Sequence, residues 1–290
     1  MDAQKLVWVY ASLFVSAVFG GAGFVFMKDS LAVFSASGFT FWRFFLSAAI
    51  LFPFFAKKAC DYRVLRDGFI AGAMFCVATL VQLQGIAHAD VGRSAFINSS
   101  SIVLVPMFQT VLTRKAPSAK TLAGCFVCLC GVAFLSMQKM TGHSDGMAEA
   151  LVFAGTCLFA CQLVVFKLLV QRHDPAVLSF VEFAAIALTA LPVAVFSSAP
   201  LLPFEGSRGW GGVFYAALVL NIVMIIASNN ALRYIPPTNV TVINSTQAIH
   251  GALFGVLLLH ETVTRQFVVS GSVIIAGILI VIAASAPKLK

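Results

Sequence analysis

Charged residues are scarce in this chain. Asp, Glu, Lys and Arg make up 10% of its 290 residues, whereas apolar residues make up 60%. A soluble domain of this length covers its surface with charged side chains, and this sequence has too few of them to do so. The composition therefore excludes an ordinary soluble domain and favours a protein that lies in a lipid bilayer.

Long polar segments are lacking as well. Apolar runs of about twenty residues follow one another, and each is long enough to cross about 30 Å of hydrocarbon as a helix. We predict ten transmembrane helices, at residues 6–27, 38–56, 68–87, 92–112, 119–138, 147–169, 175–197, 209–232, 238–258 and 265–286. The runs are apolar on all sides, unlike the alternating strands of a membrane β-barrel. The sequence thus predicts an all-α membrane protein.

Several motifs of catalysis and energy coupling do not occur. There is no G-x-x-x-x-G-K-[ST] loop, so ATP does not drive the protein directly. There is no Gly-x-Ser-x-Gly motif, and the segment from His260 to Thr264 lacks the second His of a zinc-protease motif. Cys125 and Cys128 have no His or carboxylate partners nearby in the sequence. We therefore expect no catalytic residues, no metal and no cofactor.

Two alternative classes stay open at this point. An intramembrane enzyme would need reactive side chains at one depth, such as paired acidic residues in the middle of the spans, and none occur. A channel for small solutes would show a repeated filter sequence or rings of like charge, and neither is present. Both classes stay open as alternatives.

The positive net charge of +8 follows a pattern along the chain. Lys and Arg gather in alternate connections, and the larger group is Lys5, Lys57, Lys58, Arg63, Arg66, Arg114, Lys115, Lys120, Lys167, Arg172, Arg233, Lys288 and Lys290. The positive-inside rule assigns these connections and both termini to the cytoplasm. We therefore predict a multi-pass protein of the cell (inner) membrane, whose basic residues lie near lipid headgroups and do not bind nucleic acid.

The second half of the sequence repeats the first. A shift of 146 positions places residues 97–99 (Ile-Asn-Ser) on residues 243–245, which are also Ile-Asn-Ser. A shift of 139 relates the earlier helices and places Arg43 on Glu182, a residue of opposite charge. The sequence therefore consists of two related halves.

Each half contains five predicted helices. Because five is odd, equivalent helices of the two halves must cross the membrane in opposite directions. We predict two inverted five-helix repeats, at residues 1–145 and 146–290. Secondary transporters with inverted repeats bind their substrates near the middle of the bilayer, at the interface between the repeats.

Amide and hydroxyl side chains lie near the centre of several predicted helices. Asn98 and Ser101 share one face of the fourth helix, and Asn244 and Gln247 form the corresponding face of the ninth. We predict that these four meet at the axis between the halves and bind substrate. The candidate substrate site is completed by Gln82, Gln162, Asn221 and Ser228. The alternative role of such side chains is to bond helices to one another.

This predicted centre is polar but almost uncharged. It suits a small zwitterionic or neutral compound, whereas a polyanion would need Arg or Lys at the site. His250 is a candidate for coupling, because a histidine side chain ordinarily exchanges a proton near neutral pH; the alternative is a neutral His bonded to a neighbouring helix. Arg43 and Glu182 are candidates for coupling or gating, or else extend towards lipid headgroups. The inversion puts these two at opposite membrane faces, so we do not expect them to pair.

The sequence also resembles a known family. Residues 92–97 (Gly-Arg-Ser-Ala-Phe-Ile), followed by 103–106 (Val-Leu-Val-Pro), are similar to the fourth-helix signature of the EamA group of the drug/metabolite transporter superfamily. The second-half counterpart begins at residues 237–239 (Pro-Thr-Asn) and includes 257–261 (Leu-Leu-Leu-His-Glu). Where the family usually has Glu-Pro, residues 247–248 are Gln-Ala.

The resemblance implies movement of amino acids, related metabolites or amphipathic compounds by alternating access, with export as the expected direction. Combined with the uncharged centre, it predicts a secondary-active transporter of a small zwitterionic or neutral metabolite. Its expected partners are a small-molecule substrate and the lipid bilayer. A bundle of this size can enclose a cavity as a monomer, and a homodimer is equally compatible with the sequence.

Overall fold

The computed structural model describes residues 3–31, 33–88, 97–114, 116–137, 146–197, 209–247, 249–250, 253 and 265–285. The regular structure in these ranges is helical, with no strand. We label the helices α1 (Ala3–Leu31), α2 (Ala36–Phe55), α3 (Tyr62–His88), α4 (Ser101–Thr113), α5 (Ala119–Met137), α6 (Gly146–Leu169), α7 (Pro175–Val195), α8 (Trp210–Leu232), α9 (Pro237–Asn244) and α10 (Arg265–Ser285). A short 3-10 turn, Lys58–Cys60, follows α2.

Six of these helices contain apolar segments long enough to cross a membrane: α1, α2, α3, α6, α7 and α8. Shorter apolar segments lie in the described parts of α4, α5 and α10. The chain is therefore an all-helical, multi-pass membrane protein, and the count of ten spanning helices stays a prediction. Residues 92–96 and 257–261, which carry part of the family signature, lie outside the described residues, as do residues 89–91 and 254–256.

Side-chain caps fix where two helices begin. Asp174 precedes α7 and accepts hydrogen bonds from the backbone N–H groups of Ala176 and Val177, at 3.0 and 3.2 Å. Ser35 precedes α2 and accepts from the backbone N–H of Gly38 at 3.0 Å. Each cap satisfies donors of the first helical turn that have no partner within the helix.

Glycines allow α5 and α10 to approach each other closely. A Cβ on Gly277 would lie 2.6 Å from the backbone nitrogen of Cys128, and a Cβ on Gly131 would lie 2.9 Å from that of Ile274. Small residues at such contacts let helix backbones pack tightly in a membrane. The two contacts are related by the shift of 146 residues, since Gly131 corresponds to Gly277 and Cys128 to Ile274.

Basic residues mark one end of the bundle. Asp67, near the start of α3, accepts from Arg66 Nη2 at 2.8 Å and lies 2.9 Å from Nε2 of His173 in the α6–α7 connection. Lys167, near the end of α6, donates to the carbonyl oxygen of Ile235 in the α8–α9 connection at 3.2 Å. These contacts bring the α2–α3, α6–α7 and α8–α9 connections together, and we call this the basic end.

The start of α1 lies at the basic end as well, because the Lys5 ammonium sits 4.9 Å from the centre of the Tyr234 ring. At the opposite end, the hydroxyl of Ser30, near the end of α1, donates to the carbonyl of Gly209, just before α8. Helices α1 and α3 therefore run away from the basic end, whereas α6 and α8 run towards it. Likewise, α2 runs towards the basic end and α7 runs away from it.

Candidate functional site

Gln82 joins α3 to the segment just before α4 and to α6, the first helix of the second half. Its Nε2 donates to Asn98 Oδ1 at 3.0 Å and to Thr156 Oγ1 at 3.3 Å. Helix α6 approaches closely here, since a Cβ on Gly155 would lie 2.6 Å from Cβ of Gln82. Asn98 is an exposed residue. Gln82 therefore holds the amide oxygen of a side chain that is otherwise accessible.

A corresponding bond lies in the second half. Asn244 Nδ2 donates to Ser228 Oγ at 3.2 Å. Gln82 and Asn98 fall on Ser228 and Asn244 under the shift of 146, so the two bonds join equivalent positions. Asn244 Oδ1 is buried and has no hydrogen-bond partner within the described part of the chain. Four of the eight predicted substrate-site residues are therefore engaged in two equivalent polar pairs.

Residues that follow α9 lie against α1. A Cβ on Gly20 would be 2.8 Å from Cδ of Gln247, so this amide packs directly on the α1 backbone. The His250 ring packs edge-on against Phe14, with centroids 5.4 Å apart. His250 Nδ1 is buried without a hydrogen-bond partner among the described residues. Ser101, the first residue of α4, is half-buried.

Gln162 and Asn221 form their hydrogen bonds with residues outside these two pairs. Gln162 Nε2 donates to Glu182 Oε1 at 2.7 Å. Asn221 Nδ2 donates to Ser47 Oγ at 3.0 Å and to the carbonyl oxygen of Arg43 at 3.2 Å. Gln162 therefore bonds to Glu182 and Asn221 to the backbone of Arg43, and these are the two charged residues that the sequence suggests for coupling or gating.

Glu182 is a buried carboxylate held by amides. Its side chain is 1% exposed, and Oε2 accepts from Asn229 Nδ2 at 3.0 Å. Asn229 also donates to Ser179 Oγ at 2.9 Å. The described residues include no cation at ion-pair distance from Glu182. A carboxylate in such a place is costly and usually marks function, and this one joins α6, α7 and α8.

Asn229 and Ser179 are not among the residues that the sequence predicts for the site. Helical spacing could have found both, because Ser179 lies three residues before Glu182 and Asn229 lies eight after Asn221, so that each shares a face with a residue already chosen. The sequence does not show which face of α8 packs against α7, because this contact depends on tertiary packing alone.

Arg43 lies among aromatic rings. Its guanidinium carbon is 4.5 Å from the centre of the Phe44 ring and 5.8 Å from that of Phe39. Both rings are almost completely buried. The guanidinium of Arg43 therefore packs against rings of the bundle interior.

Arg43 and Glu182 form no ion pair in the described structure. Their neighbours Phe44 and Phe183, which are related by the same shift of 139 residues, pack together with ring centroids 5.5 Å apart. Along α8, Asn221 contacts the backbone of Arg43 and Asn229 contacts the carboxylate of Glu182. Eight helical residues, about 12 Å, separate these two contacts along α8.

One family model matches the chain, and two relatives are named as transporters. The chain matches the EamA-like transporter family over residues 7–137 and again over residues 146–283. It is 23% identical to an uncharacterized transporter of Archaeoglobus fulgidus over 282 residues, which cover 97% of this chain and 87% of the relative. It is 22% identical to the uncharacterized transporter YyaM of Bacillus subtilis over 250 residues, 80% of each protein.

The fold is known from crystallography. A solved crystal structure superposes with a TM-score of 0.78 at 14% sequence identity, over 94% of this chain and 96% of the other. At this identity the similarity shows the fold alone, whereas the family matches extend over almost the whole sequence. The chain therefore belongs to the EamA-like transporter family, within the drug/metabolite transporter superfamily.

Proposed function

We propose that the protein is a secondary-active transporter that exports a small zwitterionic or neutral metabolite, an amino acid or a related compound, by alternating access. The observation that carries the proposal is the pair of equivalent bonds Gln82–Asn98 and Ser228–Asn244. Both come from positions that the sequence repeat relates, and transporters with inverted repeats bind substrate at the interface between their halves.

The unsatisfied polar atoms around these bonds support a polar solute. Asn244 Oδ1 and His250 Nδ1 are buried without partners among the described residues. Buried polar atoms in folded proteins are almost always hydrogen-bonded to protein, water or ligand. We propose that Asn98, Ser101, Asn244 and Gln247 contact the solute directly.

Two inverted five-helix repeats, residues 1–145 and 146–290, would provide the moving parts. Support comes from the two separate family matches and from the opposite directions of α1 and α6, of α2 and α7, and of α3 and α8. The related contacts of Gly131 and Gly277 agree with the same symmetry. One chain supplies all of these groups, so a monomer suffices and a homodimer would duplicate the site.

We further propose that the basic end faces the cytoplasm of a cell (inner) membrane, together with both termini. Glu182 would then hold α6, α7 and α8 together on the cytoplasmic side of the centre, and Arg43 would lie on the outer side. These positions suit gating residues, because opening either side requires these helices to separate. His250 and Glu182 are the candidates for a coupling proton.

Counterflow in proteoliposomes tests the transport function. Vesicles that contain the purified protein are loaded in turn with each of the common L-amino acids and then given the same compound, radiolabelled, outside. We expect saturable, transient accumulation of at least one compound by the wild type. Gln82→Ala should slow this at least tenfold, whereas Gln84→Ala, an exposed glutamine on the same helix, should not.

Two results would contradict the proposal. One is the absence of counterflow for amino acids, related amines, amides and neutral metabolites alike. The other is unitary conductance of the same protein in a planar bilayer, which would identify a channel. Equal loss of counterflow in Gln82→Ala and Gln84→Ala would contradict only the location of the site.

A further inference from the structure

We propose that Arg43 and Asn221 form a subsite for an α-amino or α-hydroxy carboxylate group, so that the transported compound must carry a carboxylate. This inference rests on the proposed transport function and deepens it. In this subsite the carboxylate of the solute binds the guanidinium of Arg43. The N–H or O–H group next to that carboxylate donates a hydrogen bond to Oδ1 of Asn221.

The first observation is a cation without an acceptor. A guanidinium has five N–H donors in a planar fork that matches a carboxylate. In the described part of the chain, no side-chain or backbone oxygen accepts a hydrogen bond from Arg43, and its Nε is buried. Its contacts there are the rings of Phe44 and Phe39. Buried donors in folded proteins are almost always hydrogen-bonded, so Nε of Arg43 is available to an acceptor that a solute supplies.

The second observation is a hydrogen-bond acceptor without a donor, Oδ1 of Asn221 in the neighbouring helix α8. Asn221 is 0% exposed, and its Oδ1 has no hydrogen-bond partner among the described residues. Its Nδ2 donates to Ser47 Oγ and to the Arg43 carbonyl oxygen, which fixes the orientation of the amide because a carbonyl oxygen can only accept. The unpartnered oxygen is therefore held beside the residue that bears the unpartnered guanidinium.

Local backbone structure supports a role beyond packing. Asn221 lies in the stretch Ala216–Ile225 of α8, which is wound as a π-helix. Such stretches are rare, and in other proteins they often occur at functional sites. Here the π-helical stretch carries the amide that bonds α8 to α2 at Ser47 and Arg43.

The charge pattern favours a monocarboxylate over a phosphate group. Arg43 is the sole Lys, Arg or His in α2, and α7 and α8 contain none. One guanidinium balances one carboxylate, whereas a phosphate dianion is normally held by several cations.

Thermal unfolding of the purified full-length protein tests the subsite without any mutation. The probes are the common L-amino acids and, for each that raises Tm, its C-terminal amide, its decarboxylated amine and its α-hydroxy acid. We expect the amino acid to stabilise the protein by mass action, the hydroxy acid to retain part of the effect, and the amide and amine to bind at least tenfold more weakly. Acetate and chloride at equal concentration serve as ionic controls.

Variants then locate the effect. Arg43→Gln should abolish the preference of the protein for the acid over its amide, and Arg43→Lys should retain a weakened preference. Arg172→Gln, an exposed arginine at the basic end, is the matched control and should behave as the wild type. If Arg43→Gln does not fold, the comparison of acid with amide on the wild type still decides the requirement for a carboxylate.

The outcomes separate this inference from the proposed function. Equal stabilisation by the acid and its amide, or an unchanged preference in Arg43→Gln, would overturn the subsite and leave the transporter intact. Stabilisation by acetate or chloride alone would likewise overturn it, as adventitious anion binding. No stabilisation by any probe, together with no counterflow, would overturn both.

Discussion

At the scale of single residues, the buried carboxylate of Glu182 is the clearest example of a polar group that bonds several helices together. Its carboxylate is buried, with amide donors from α6 and α8 and no cation at ion-pair distance in the described structure. An amide donor bonds well to a carboxylate, whereas a protonated acid would need an acceptor for its own hydrogen. Gain or loss of a proton at Glu182 would therefore change how α6, α7 and α8 are bonded.

Glu182→Gln tests whether this residue carries the coupling proton. We expect the variant to retain counterflow, which needs no net proton movement, and to lose most of the accumulation driven by a pH gradient across the vesicle membrane. Asp61→Asn, an exposed acidic residue just before α3, is the control. Equal loss of both activities in Glu182→Gln would indicate that Glu182 has a structural role only.

The sequence singles out the residues of the two polar pairs, although their role in binding stays a prediction. Gln82, Asn98, Ser228 and Asn244 are all recognisable, because polar side chains stand out in apolar helices and the repeat relates them in pairs. Their mutual bonds were not predictable, since a repeat says which positions correspond and not which helices touch. The same gap applies to Gln162 and Asn221, whose bonds to Glu182 and to the backbone of Arg43 were not predictable from the sequence either.

At the scale of helices, hydropathy located the spans better than their ends. The third helix was expected at residues 68–87, but it begins at Tyr62, and the first was expected at 6–27 but spans Ala3–Leu31. Hydropathy detects the apolar part of a helix, whereas the helical hydrogen bonding of α1 and α3 continues into flanking polar residues. Helix α7 begins at residue 175 as predicted, where Asp174 caps it.

Close packing of α5 on α10 depends on glycine. We expect Gly277→Ala to destabilise the protein by about 1–3 kcal/mol, because the new methyl group would overlap the α5 backbone. Gly131→Ala should act similarly, since its methyl group would meet the backbone of α10. Thermal unfolding in detergent measures both effects.

Gly211→Ala is the matched control for these substitutions. Nothing lies within 4 Å of a Cβ at this position near the start of α8, so its Tm should stay at the wild-type value or rise slightly. A Tm of Gly277→Ala equal to that of Gly211→Ala would show that α5 and α10 do not pack as described.

The whole molecule has a basic end that gathers the start of α1 and the α2–α3, α6–α7 and α8–α9 connections. The charge pattern predicted which connections belong together, because loops on one side of a membrane share a positive bias.

Cys60 is exposed in the α2–α3 connection. A membrane-impermeant maleimide should therefore label it in inside-out vesicles and not in intact cells, and Cys60→Ser should remove that signal. Labelling from the cell exterior would reverse the proposed orientation.

The central claim is that one polar site between the halves opens to one side of the membrane at a time. The most direct test is Ser101→Cys, with the exposed Cys60 and Cys130 changed to Ser, labelled by impermeant maleimide from each side in turn. We expect the rates from the two sides to differ, and a saturating transported amino acid to change them in opposite directions. Equal rates from both sides, unaffected by any solute, would contradict alternating access.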